Sequence, residues 1–139
     1  MNYEKKANQI VNELISSIEN KEENNVANVF AKSVSANTEE FDESVSALMD
    51  YYTGNLVSCN SEYEPYSSGV YTPERTCEYI YCSYSVKTDR SDYYFYLKIV
   101  TRDTVNADNI GIYSLYVIEQ SMHGTGLDDR DAHRRAHGS

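Results

Sequence analysis

The 139-residue chain contains no tryptophan, two prolines, three cysteines and three histidines. It also lacks any apolar run near the roughly 18 residues that a membrane-spanning helix needs, and its first residues lack the apolar centre of a signal peptide. A chain of this length can enclose a hydrophobic core, so its stability requires neither disulfides nor a structural metal. We therefore expect a single domain without a membrane span.

Basic residues are scarce, with 12 Lys plus Arg against 22 Asp plus Glu and a net charge of -10. Residues 121–139 carry three residues of each sign, so the whole acidic excess lies in residues 1–120. Binding to phosphate backbones or to anionic lipid needs clustered Lys and Arg. This charge balance argues against nucleic acid and against a membrane surface as partners.

Histidine is missing from residues 1–120, because His123, His133 and His137 all lie in the tail. The body therefore offers no imidazole for Ser-His-Asp or Cys-His catalysis or for a His-rich zinc site. His133, His137 and Asp129 follow a spacing of four residues and could share one helix face to ligate a divalent metal. The alternative is that residues 121–139 are a solvated polar tail, either mobile or derived from an expression vector. We predict no metal site and no cofactor.

Three helices are predicted in the N-terminal part. The first covers residues 3 to about 20, and a second runs from about Val26 to Ser33. The third starts at a capping box, Asn37-Thr38-Glu39-Glu40, and ends before Gly54, which suits a left-handed C-terminal cap. The apolar stripes are Ala7, Ile10, Val11, Leu14 and Ile18 in the first helix, and Phe41, Val45, Leu48, Met49 and Tyr52 in the third.

From Asn55 onward the apolar period changes to two and the composition to Tyr, Val, Ile, Thr and Ser, which favour strands. Ile80, Cys82, Tyr84 and Val86 are expected to face the helices. Short connections predict an antiparallel meander. The predicted strands lie near residues 55–60, 66–72, 76–87, 92–102 and 110–119. We therefore predict an α+β fold over residues 1–120, with three helices packed on a curved antiparallel sheet of about five strands.

The segment from Thr101 to Ile118, with its Gly111-Ile112-Tyr113-Ser114-Leu115 run, resembles the closing strand of an uncharacterised bacterial domain-of-unknown-function family of the 5104 type. That family is assigned to the nuclear-transport-factor-2-like (cystatin-like) superfamily, so the resemblance implies a cone-shaped fold. It also implies secretion or lipid anchoring at the cell envelope of a Gram-positive bacterium, although the lipobox cysteine of the family has no counterpart here. No catalytic residues follow from the resemblance, because the function of the family is not established.

The three cysteines, Cys59, Cys77 and Cys82, fit no zinc knuckle and no redox Cys-x-x-Cys motif. Cys59 could form a disulfide with either of the others, whereas Cys77 and Cys82 should point to opposite faces of one strand. The alternative is three free thiols.

Most of the 14 tyrosines lie between Tyr51 and Tyr116. A tyrosine-lined surface could stack a small ligand or a glycan, and the alternative is a set of cross-strand aromatic pairs that only stabilise the sheet. We hypothesise non-catalytic binding of a small ligand in a cavity between the third helix and the sheet. The predicted lining residues are Phe30, Phe41, Tyr52, Tyr84 and Tyr96.

Two other functions remain open at this stage. The tyrosine-rich face of the sheet could bind a protein partner or form a homodimer. By resemblance to the isomerases and dehydratases of the superfamily, a carboxylate inside the cone could catalyse a reaction, and Asp50, Glu78 and Asp92 are the candidates.

Overall fold

A computed structural model describes residues 3–36 and 38–120 of the chain. The described part is an α+β fold with a helical N-terminal region and an open antiparallel sheet of five strands, as predicted. The helices are α1 (Tyr3–Glu19), α2 (Glu23–Val29), α3 (Lys32–Ser35) and α4 (Thr38–Tyr51). The strands are β1 (Leu56–Ser61), β2 (Tyr66–Tyr71), β3 (Thr76–Thr88), β4 (Asp92–Asp103) and β5 (Gly111–Glu119), with a 3₁₀ turn at Ala107–Asn109.

The first and last predicted helices are confirmed, because their apolar stripes are the faces that become buried. Val11, Leu14 and Ile18 of α1 are fully buried, and Phe41 and Leu48 of α4 are almost so. Gly54 follows α4 with a φ of +88°, a left-handed conformation that favours glycine. The predicted capping box depends on the side chains of Asn37 and Thr38, which lie outside what the structure describes. No helix of the described residues is both long enough and apolar enough to cross a membrane.

The second predicted helix is wrong in its length. It ends at Val29 instead of Ser33, because Phe30 is extended and forms a parallel bridge with Ile112 at the start of β5. The amide of Ala31 donates to the carbonyl of Ile112 at 3.0 Å, and the single-turn helix α3 begins only after this pairing. The helical region therefore has four helices, and its middle is joined to the edge of the sheet.

The predicted meander is also wrong at its first two strands. The strand order is β1-β3-β4-β5, and β2 pairs with β3 rather than with β1. β1 covers the end of β3 from Tyr84 to Thr88, whereas β2 covers its beginning from Thr76 to Tyr81. The 13 residues of β3 are long enough to pair with two six-residue strands in line.

The helices pack on one face of the sheet, which we call the inner face. Ile80, Cys82, Tyr84 and Val86 of β3 are buried there in the main hydrophobic cluster with residues of α1 and α4, as predicted. Tyr93, Phe95, Leu97 and Ile99 of β4 alternate in the same sense and belong to the same cluster. The opposite, outer face of the sheet carries the intervening residues of each strand.

Candidate functional site

Four of the five predicted lining residues lie on the inner face. The ring of Phe30 contacts that of Phe41 edge-on at 5.1 Å between centroids, and Tyr52 stacks on Tyr93 at 5.2 Å. Phe41, Tyr52 and Tyr84 are buried members of the core, and Phe30 packs against it. These four side chains contribute to the packing between the helices and the sheet.

Tyr96, the fifth predicted residue, lies on the outer face and is not brought together with the others. It pairs with Ser83 of β3 on one side and with Tyr116 of β5 on the other. Its neighbours in the alternation, Phe95 and Leu97, point into the core. Tyr96 therefore belongs to a different site from Phe41 and Tyr84.

Two adjacent rows of side chains cross the outer face and leave a depression of about 370 Å³ between them. One row contains Ser83, Tyr96 and Tyr116, and the other contains Tyr66, Tyr81, Lys98 and Ser114. We call this depression the tyrosine groove and define it by Tyr66, Tyr81, Ser83, Tyr96, Ser114 and Tyr116.

The sequence forms this groove by placing small residues between large ones on one face. Ser83 and Ser114 have short side chains, so the tyrosines that flank them on the same and neighbouring strands form walls around a lower floor. Tyr66 and Tyr81 stack across β2 and β3 at 6.3 Å between ring centroids. Tyr66 is 63% exposed and Tyr81 44% exposed, so their rings are accessible to a ligand.

Lys98 also lines the groove and supplies a positive charge to it. Its ammonium lies 4.5 Å from the ring centroid of Tyr79, 5.3 Å from that of Tyr113 and 5.8 Å from that of Tyr81. Among the described residues Lys98 forms no salt bridge, so the tyrosine rings are its electrostatic partners. This side of the outer face thus holds an ammonium group by cation–π contact.

Two buried polar atoms lie at Ser83, which lines the groove, and at Glu62, which directly follows β1 and pairs with Ser83. The Oγ of Ser83 and the Oε1 of Glu62 are both buried, and neither forms a hydrogen bond with any residue that the structure describes. The amide of Glu62 donates to the carbonyl of Ser83 at 3.0 Å, which continues the β1–β3 register by one residue and places the two side chains on the same face. Sequence reasoning missed both residues, and the signal for Ser83 was a small residue between alternating tyrosines.

The three cysteines are free in the structure. Burial raises the pKa of Cys59 to about 11 and that of Cys82 to about 12, which keeps both thiols protonated and unreactive near neutral pH. Cys77 and Cys82 lie on opposite faces of β3, as the alternation predicted.

The carboxylates considered for catalysis are dispersed. Asp50 and Asp92 are exposed, and Glu78 forms a 3.4 Å salt bridge with Arg102. Residues 3–36 and 38–120 contain no group of three His, Cys, Asp or Glu side chains placed to hold a metal ion. The metal site considered at Asp129, His133 and His137 lies outside the described residues.

A second, wider depression lies between α1 and α2 on the other side of the molecule. Its volume is about 860 Å³, and its lining is polar and rich in amides, including Asn8, Asn12, Asn25 and Asn28. It has no aromatic side chain among its lining residues, which distinguishes it chemically from the tyrosine groove.

Comparison with known proteins bears on the family of the chain. A search among curated proteins gives no match. The family model described as Domain of unknown function (DUF5104) matches residues 13–120, which include α2 to α4, all five strands and every residue that defines the tyrosine groove. The chain therefore belongs to the DUF5104 family.

Proposed function

We propose that the protein is a non-catalytic binding protein whose site is the tyrosine groove. Its ligand is a small molecule that offers a flat apolar face to the tyrosine rings and polar groups at its rim, as a saccharide does. The observation that supports this proposal is a groove on the face of the sheet opposite the described helices, with serine hydroxyls at its floor. Its walls are tyrosines, of which Tyr66, Tyr81 and Tyr116 are exposed.

The chemistry of the groove suits such a ligand. Tyrosine rings stack on apolar faces while their hydroxyls remain available to polar edges. A volume of about 370 Å³ lies at the small end of the range for ligand pockets, about 300–1,000 Å³, so a single ring fits better than an extended molecule. The inner face offers a poorer alternative, because Tyr84 and Phe95 fill it with core packing.

We also propose a cellular setting for this function. The protein would be secreted or lipid-anchored at the envelope of a Gram-positive bacterium, and its fold would belong to the nuclear-transport-factor-2-like superfamily. Helices packed on one face of an open antiparallel sheet support the second part of this proposal. Fractionation of cells that express the full-length protein tests the first part, because a cytosolic protein would contradict it.

Protein binding through the same face is a second candidate function. Tyr113 adds further exposed aromatic surface beside the groove, and a second copy of the chain is the simplest partner for such a face. Sedimentation at increasing concentration would detect this dimer. Removal of the exposed rings of Tyr66 and Tyr81 should then return the protein to a monomer.

Calorimetric titration with glucose and with glucosamine tests the ligand-binding proposal. At least one of the two sugars should bind the wild-type protein. The double variant Tyr66→Ala, Tyr81→Ala should lose about tenfold or more in affinity, because stacking of the sugar face on tyrosine contributes about 1 kcal/mol or more per ring. Tyr71→Ala is the matched control, since Tyr71 is an equally exposed tyrosine of β2 outside the groove. Affinity that is unchanged in the double variant would contradict the proposal.

A further inference from the structure

Glu62 and Ser83 present an unusual electrostatic arrangement beside the tyrosine groove. A buried carboxylate oxygen without a hydrogen bond costs free energy, and so does a buried hydroxyl without one. Ser83 is only 6% exposed, lines the groove and has an unpartnered Oγ. Glu62 adds an unpartnered Oε1 on the same face at the adjacent register position. Together they form a pair of polar atoms that no described residue satisfies.

The neighbouring tyrosines already show which group suits this surface. Lys98 holds its ammonium over the rings of Tyr79, Tyr81 and Tyr113, and the nearest of these rings, Tyr79, lies on the side of Lys98 away from Ser83. Lys98 lines the same groove, but among the described residues no cationic side chain pairs with Glu62. The position beside Ser83 therefore has the aromatic rings and an unpaired carboxylate oxygen that suit a cation. The net charge of -10 further favours a positively charged ligand over an anionic one.

We propose that the ligand of the tyrosine groove carries a protonated amino group, which donates hydrogen bonds to Glu62 and Ser83 while the ring of the ligand stacks on the tyrosines. This inference rests on the proposed function and narrows its ligand class to amines with a ring, such as an amino sugar. The amine would neutralise the half-buried carboxylate of Glu62, in the way that desolvated charges are generally paired.

Glucosamine and glucose form a matched pair of probes, because they differ only in an amine and a hydroxyl at one carbon. At a mildly acidic pH that keeps the amine protonated, glucosamine should bind the full chain at least about tenfold more tightly than glucose. Glu62→Gln should remove that preference, and Glu62→Asp, which keeps the charge, should retain part of it. Ser83→Ala should weaken glucosamine binding severalfold. Glu74→Gln removes an exposed carboxylate of the β2–β3 turn and should change neither affinity.

A second measurement distinguishes a ligand site from a structural role. Because no residue in the described part of the chain bonds to the buried oxygen of Glu62, Glu62→Gln should leave the melting temperature of the free protein unchanged or raise it. A clear fall in melting temperature would overturn the inference, since it would assign Glu62 to fold stability. If the wild-type protein binds both sugars with equal affinity and the Tyr66→Ala, Tyr81→Ala variant binds neither, the inference is overturned and the proposed function stands. Binding of neither sugar would overturn both.

Discussion

The hydroxyl of Tyr93 lies in the core and has a full set of partners. It donates to the carbonyl of Tyr51 at 3.0 Å and accepts from the amide of Thr53 at 2.8 Å, and Tyr93 is fully buried. These bonds satisfy backbone groups where α4 ends, so the residue joins the helix to the sheet. Tyrosine on the inner face is therefore a structural residue, in contrast to the exposed tyrosines of the groove.

Removing this one hydroxyl should be costly. Tyr93→Phe leaves the Thr53 amide and the Tyr51 carbonyl without their partner in a part-buried site, and we expect a loss of about 1 kcal/mol in the free energy of unfolding. Urea denaturation measures it. Tyr113→Phe is the matched control on the outer face, because Tyr113 is 42% exposed, and its effect should stay within about 0.5 kcal/mol. Equal stability of the Tyr93→Phe protein and the wild type would contradict this role.

Asp103 anchors the turn between β4 and β5. Its carboxylate accepts hydrogen bonds from Arg75, from the side chain of Asn109 at 2.9 Å, and from the amides of Val105 and Asn106, each at 3.0 Å. The bond from Arg75 contributes most to lowering the pKa of Asp103 far below its ordinary value, followed by that from Asn109. The charged form of Asp103 therefore stabilises this corner of the fold.

A depressed pKa fixes the sign of the pH dependence. The stabilisation is present above the pKa of Asp in the unfolded chain, about 4, and is lost as the pH falls through the lower pKa of the folded state. Asp103→Asn should lower the melting temperature by several degrees at neutral pH, and the difference from wild type should shrink as the pH falls below about 4. Asp108→Asn, an exposed change in the same connection, should have little effect. A difference that is independent of pH would contradict the argument.

The thiols of Cys59, which is half-buried, and of Cys82, which is buried, should react slowly in the native protein. Burial raises the pKa values of Cys59 and Cys82 to about 11 and about 12, so almost no thiolate is present at about pH 8. In a Cys77→Ser variant, Ellman's reagent should react far more slowly with the folded protein than with the protein in denaturant. Reaction of the folded protein at the rate of a free cysteine would contradict the burial of these two residues.

At the scale of elements, Gly111 decides how the helical region joins the sheet. It has a φ of +128°, and a Cβ at this position would lie 2.8 Å from the backbone nitrogen of Ala31. The close approach permits the pairing of Phe30 and Ala31 with Ile112. The pairing of Phe30 with Ile112 thus explains both the glycine at the start of β5 and the early end of α2.

Gly111→Ala should strain the backbone and separate these two segments. We expect a loss of more than about 2 kcal/mol in the free energy of unfolding, because a positive φ and a clash with backbone atoms act together. Chemical denaturation monitored by far-UV circular dichroism measures the loss. Val105→Ala, a truncation at a residue that is 66% exposed in the β4–β5 connection, should change stability by less than about 0.5 kcal/mol. If Gly111→Ala lowered the free energy of unfolding as little as Val105→Ala, the close approach of Phe30 and Ala31 to the start of β5 would be contradicted.

Local patterns were sufficient to predict some elements and not others. The spacing of three and four in α1 and the period of two from Thr76 to Thr88 are properties of the elements themselves, so they could be predicted from the sequence. The end of α2 depends on Ile112 and Gly111, which lie about 80 residues away in the chain, and no local signal marks it. The pairing of β1 and β2 with different parts of β3 likewise depends on contacts between strands, which the pattern within each strand does not predict.

At the scale of the whole molecule, the two faces of the sheet have separate roles. The inner face buries the apolar stripes of α1 and α4, and the outer face presents tyrosines, serines and Lys98. Sequence analysis grouped Tyr96 with four inner residues, although Lys98 in the same alternating set indicates a solvent-facing surface. Ser83 and Glu62 come together only through the register between β1 and β3, and no local sequence pattern predicts that register.

Backbone amide chemical shifts of ¹⁵N-labelled protein during a glucosamine titration test the location of the site most directly. We predict that the largest changes fall on the outer face around the tyrosine groove, at Ser83, Tyr96, Lys98 and Ser114. Largest changes in the polar depression between α1 and α2, at Asn12 and Asn25, or among the core residues of the inner face, would contradict the assignment of the binding site to the outer face.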